Sequence, residues 1–67
     1  MRMEKAAKGD VIRIYIPELQ IVVFGYSWKI GNRIYKSMYV VEREKTAKRH
    51  MAKIVNSHNS YINNHSK

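Results

Sequence analysis

The sequence predicts an α+β domain: a three-stranded antiparallel meander followed by one C-terminal amphipathic helix (β-β-β-α), with the helix packed on the aliphatic face of the sheet. Three observations carry this. Between Val11 and Val41 the apolar residues are β-branched or aromatic and alternate with polar ones, which suits a pleated, half-buried surface. Gly9-Asp10, Pro17-Glu18 and Gly31-Asn32 punctuate that stretch at strand-length intervals. From Thr46 the apolar spacing changes to that of a helix.

The first strand is predicted over residues 10–16, with Ile12, Ile14 and Ile16 on one face and Val11, Arg13 and Tyr15 on the other. Pro17 ends it, because proline has no N–H to give a ladder. A second strand follows over 19–28 and a third over 33–42. Ile30-Gly31-Asn32-Arg33 reads as a two-residue hairpin in which Gly31 supplies the positive φ of a type II′ turn. Counting from that turn sets Trp28 opposite Tyr35, Phe24 opposite Tyr39 and Val23 opposite Val40. One face is then aliphatic, with Ile12, Ile14, Leu19, Ile21, Val23, Ile34, Met38 and Val40. The other carries Arg13, Tyr15, Gln20, Val22, Phe24, Tyr26, Trp28, Tyr35, Ser37, Tyr39 and Arg43.

The helix is expected from about residue 45 to 60. Ala47, Met51, Ile54, Val55, His58, Tyr61 and Ile62 form its apolar stripe, and Glu44 suits the positive end of its dipole. One stripe to bury and one aliphatic face to cover should pack together, leaving the aromatic face open. The chain reads as a single small domain, 1–67, with residues 1–9 as a flexible arm and 63–67 as a frayed tail.

At 67 residues and 7.9 kDa such a domain has a thin core. The absence of cysteine excludes a disulfide scaffold, thiolate zinc fingers and iron–sulfur sites. The longest apolar run, Ile21 to Phe24, is far too short for a membrane span, and the start Met1-Arg-Met-Glu-Lys has no apolar h-region, so a cytoplasmic location is expected. Charge is the outstanding feature. Thirteen Lys and Arg against five Asp and Glu give +8, which points to an anionic partner.

Chemistry of other kinds finds little footing. His50, His58 and His65 have no carboxylate or cysteine beside them to complete a metal site, and no Gly-rich phosphate loop or Ser/His/Asp pattern occurs. The chain is therefore expected not to be an enzyme and to carry no cofactor or metal. Nucleic acid is the expected partner, with DNA favoured over RNA. On this reading Arg13, Tyr15, Tyr26, Trp28, Tyr35 and Tyr39 of the aromatic face lie against a groove or stacked bases. Lys29, Arg33 and Lys36 hold phosphates from the hairpin tip, and Arg43, Lys45, Lys48 and Arg49 from the helix start. Between Arg43 and Lys53 only Glu44 opposes the positive charges, so they repel one another unless an anion relieves them.

Two families are similar in part. Tyr26-Ser-Trp-Lys-Ile, the Gly31-Asn-Arg-Ile-Tyr hairpin and the helix start Glu44-Lys-Thr-Ala-Lys resemble the arm-type DNA-binding domain of phage and transposon tyrosine recombinases, and also the plant ethylene-response-factor domain. That resemblance covers about residues 20 to 55. It implies a sheet that enters the major groove with the helix supporting it from behind. Lys45-Thr-Ala-Lys48-Arg-His-Met51-Ala52 resembles the start of the last helix of double-stranded RNA-binding domains, whose lysines contact phosphates. Residues 1–9 leave little space for that family's first helix, and its proline-and-histidine loop is missing. The alternative function is that of a phage or mobile-element accessory protein, which an Ile-, Lys-, Asn- and Tyr-rich composition suits. Such a protein would bind a host protein, or dimerise, through the aromatic face.

Overall fold

The computed structural model describes residues 4–65. Three strands, β1 (Ala6–Ile16), β2 (Ile21–Ile30) and β3 (Arg33–Lys36), precede one helix, α1 (Glu44–His65). The sheet is an antiparallel meander in the order β1-β2-β3, and the β-β-β-α architecture is the predicted one.

Several boundaries differ from expectation. Residues 6–9, expected in a flexible arm, form the first part of β1, where Ala6, Ala7 and Lys8 pair with Ile30, Lys29 and Trp28. Their low strand propensity is offset by this pairing and by a clamp from the helix. Asn59 accepts a hydrogen bond from the Ala6 N–H at 2.8 Å and donates one to the Ala6 carbonyl at 3.0 Å, standing in for a fourth strand at this edge. Beside it the His58 ring and the Glu4 carbonyl lie 2.8 Å apart, so His58 joins the terminus to the helix. Leu19 and Gln20 belong to the turn, not to β2. Leu19 N–H bonds to the Ile16 carbonyl, and Gln20 closes the loop with φ 52°. The helix runs on to His65, past the expected fray; residues 1–3, 66 and 67 of the predicted arm and tail lie outside the described region.

A bulge interrupts β1 between Lys8 and Val11. Gly9 crosses so close to Ser27 that an added Cβ would meet the Ser27 carbonyl oxygen at 2.6 Å, which only glycine permits. The buried Ser27 hydroxyl accepts from the Asp10 N–H at 3.0 Å and so satisfies a donor that the broken ladder releases.

The hairpin turn is as predicted. Gly31 has φ 60°, Ile30 faces Arg33 and Trp28 faces Tyr35. Beyond Ser37 the predicted register fails. Phe24 bridges to Val41 and not to Tyr39, so two extra residues enter this edge, and Val23 does not face Val40. Met38, Tyr39 and Val40 bow outward, at 89, 79 and 49% exposure, instead of continuing β3 to residue 42.

The sorting of residues between the two faces holds for the paired strands, but the covered face is the other one. The helix lies on the aromatic side: Tyr26, Ala47 and Met51 form the core, with Val11, Phe24, Trp28, Val41 and Ile54 packed around them. Two physical reasons account for this. The return through Val41 brings the chain to the Phe24 side of the sheet just before the helix begins. Large rings on the central strand also offer more apolar area than the isoleucines, several of which lie toward the β1–β2 turn. Ala47, wholly buried, lets the helix approach Tyr26 closely, and Val55 and Ile62 continue the buried stripe toward Ala6. Tyr61, expected in that stripe, is half exposed.

Candidate nucleic-acid interface

Helix placement divides the predicted site into a part that is brought together and a part that is not. On the helix side of the sheet, Tyr26, Trp28 and Tyr35 form a row of rings. The Tyr26 and Trp28 centroids are 6.0 Å apart, and Trp28 and Tyr35 stack nearly parallel at 6.0 Å and 14°. His50, a residue outside the predicted contact set, joins the row by setting its ring edge-on to Tyr26 at 6.2 Å. The row therefore runs from the helix flank across β2 to the outer edge of β3. Burial falls along it, from Tyr26 at 9% exposure to Tyr35 at 39%. Tyr26 is a core residue and cannot stack on a base as expected; Tyr35 presents the accessible ring.

An open cleft of ≈ 430 Å³ lies between the helix and the sheet here, lined by Tyr26, Arg49, His50, Lys53 and Ile54. Lys45, Arg49 and Lys53 stand at i, i+4 and i+8, one above another along the exposed flank of α1, about 6 Å apart per step. Like charges at this spacing destabilise an isolated helix, by about 0.2–0.5 kcal/mol per pair. Lys48, predicted with this group, instead turns toward β1, where it borders a second cleft with Lys8 and Asp10 and pairs with Glu44 at 3.6 Å. Glu44 is the single acid of the helix, so no carboxylate on α1 follows that pair.

The remaining predicted residues fall in three places. Arg13 and Tyr15 extend the helix side toward the β1–β2 turn, opposite Phe24 and Val22, and both are exposed. Arg33 shares that side beside Tyr35, and Arg43 is exposed immediately before the helix, its carbonyl accepting the Ala47 N–H at 3.1 Å. Lys29 and Lys36 stand on the opposite face with Ile34, so the three cations of the hairpin tip do not form one clamp. A two-residue alternation separates Arg33 from both lysines. Tyr39 lies in the outward bow, away from the ring row.

His50, Lys53 and Ile54 are the cleft residues missing from the predicted set. Lys53 was legible as part of the basic flank. His50 was not, because its role depends on which sheet face the helix covers. Among the described residues, no three of His, Cys, Asp and Glu come together as metal ligands would. No helix there is long and apolar enough to cross a membrane.

No family model, curated protein or solved structure matches the chain.

Proposed function

We propose that the protein binds nucleic acid, duplex DNA in preference to RNA, through the helix side of the molecule and mainly through phosphates. The observation that carries this is the Lys45–Arg49–Lys53 ridge bordering the ring-lined cleft. Three like charges stacked along one helix flank, with no acid on that flank, are relieved when an anion lies along the ridge. Arg13, Arg33 and Arg43 are exposed around the same side and extend the positive surface. Tyr35, stacked on Trp28, offers a flat apolar ring to a base or sugar at the outer end of the ring row. Beyond Lys53 the exposed helix residues Asn56, Ser57 and Ser60 carry amides and hydroxyls able to meet base edges, which suits weak sequence preference. Unlike the sheet-first docking that the recombinase resemblance implies, this mode leads with the helix, since the uncovered sheet face is aliphatic. A small DNA-associated accessory protein of the cytoplasm, without catalytic function, fits this reading.

The test is fluorescence anisotropy of a labelled duplex of about 20 base pairs, titrated at salt concentrations from about 50 to 200 mM. Six phosphate contacts give a slope of log K against log salt near −5, at about −0.9 per contact. Absence of binding at the lowest salt, or an affinity that salt does not change, refutes the proposal.

A further inference from the structure

In a single copy the sheet face turned away from the helix is buried along the middle of β2, at Val23 and Ser27, but its aliphatic rim is exposed. Ile12, Ile14, Ile21 and Ile34 stand on it at 41, 38, 41 and 69% exposure, with Leu19 at 65% in the adjoining turn. The chain is also elongated, 50 × 20 × 14 Å, with a radius of gyration of 14.1 Å where about 11 Å is usual for this length. Its accessible surface of 5784 Å² compares with about 4,400 Å² for a compact monomer of this mass. Toward the β1–β2 turn the sheet is reduced to two strands, and a two-stranded ribbon is marginal alone.

We propose that a second copy of this chain occupies the aliphatic face, the two sheets packing face to face about a two-fold axis with both helices outside. Area supports this occupant. The five exposed aliphatic side chains present on the order of 450 Å², close to the apolar share of the roughly 800 Å² that a standard interface buries per partner. Charge supports it as well. Two chains of +8 each meet with least repulsion on a surface free of charge, and between Ile12 and Gly25 this face carries none. The charges that remain are complementary under the two-fold. Glu18 lies in the turn at one end, Lys29 and Lys36 at the other, so an axis near Gly25 brings Glu18 of each copy toward the lysines of its partner. The dimer also supplies what a small chain without disulfides needs, a second layer on its core. It keeps both basic ridges facing solvent.

Sedimentation equilibrium of the full chain, from about 1 to 200 μM, tests this together with circular dichroism of each variant. The expected mass is twice 7.9 kDa at the upper concentrations. Ile14→Glu should weaken the dimer on the order of 100-fold, because it buries an unpaired carboxylate. Since that variant can also misfold, the charge swap is the second test. Glu18→Lys should weaken the dimer, and adding Lys29→Glu with Lys36→Glu should restore it. A third variant, Ile21→Cys with Lys29→Cys, cannot close a disulfide within one chain, because the two positions lie about 27 Å apart along β2. It should give covalent dimers on oxidation. A monomer at every concentration overturns the proposal and leaves the face to a different protein. A dimer that the charge swap does not affect, and that the double-cysteine variant does not cross-link, overturns it too.

Discussion

Replacing Lys45, Arg49 and Lys53 together with alanine separates binding from folding, because the two effects have opposite signs. The three side chains are exposed, and removing them opens no cavity. Their removal eliminates two like-charge contacts at i,i+4, each costing about 0.2–0.5 kcal/mol, and places three strong helix formers on α1. Stability should therefore rise by about 0.5–1 kcal/mol, a gain of a few degrees in Tm at about 4–8 °C per kcal/mol for a domain of this size. Binding should fall. Three of six phosphate contacts are lost, so the salt slope should drop from near −5 to near −2.7. Between about 50 and 200 mM salt the wild type should lose affinity by about 10³-fold and the variant by only about 40-fold. Anisotropy with a labelled duplex gives the slopes, and thermal denaturation followed at 222 nm gives the stabilities. A variant that is more stable but keeps the full slope would refute the reasoning, since the ridge would then not contact phosphate.

Other expectations concern single positions. Tyr35→Ala removes a half-exposed ring and should lower affinity by about 1–3 kcal/mol with no change in salt slope, if the ring stacks on a base; an unchanged affinity would remove Tyr35 from the interface. Gly9→Ala should destabilise by about 1–3 kcal/mol, because the new methyl meets the Ser27 backbone, and urea unfolding measures it. Asn59→Ala strips both hydrogen bonds from Ala6 and should cost about 1–3 kcal/mol. Amide exchange at residues 6–8 should then accelerate ahead of the rest of the sheet, and uniform exchange would show that the clamp is not what holds this edge.

Alternation along β2 was enough to sort Phe24, Tyr26 and Trp28 from Val23, Gly25 and Ser27, and Gly31 was enough to set Trp28 against Tyr35. Which face the helix covers could not be read the same way. That choice follows from the bow at Met38-Tyr39-Val40, which carries no glycine or proline to mark it and whose residues favour a strand. The β-structure of residues 6–9 was hidden for a related reason. Alanine, lysine and glycine are poor strand formers, and their partner Asn59 lies 53 residues along the chain from Ala6. Of the predicted helix cations, Lys45 and Arg49 share one flank, a local property of their spacing, whereas Lys48 turns toward β1. Lys29 and Lys36 were grouped with Arg33 by proximity in sequence, whereas the pleat sends them to opposite faces.

The helix-first account is tested most directly by amide and side-chain chemical-shift mapping of the ¹⁵N-labelled protein with an unlabelled DNA duplex. Perturbations should cluster on Lys45, Arg49, His50, Lys53 and Tyr35, with smaller shifts at Arg13 and Arg33 and none at Ile12, Ile14 or Ile34. Shifts centred on those isoleucines, with the helix ridge unmoved, would contradict it.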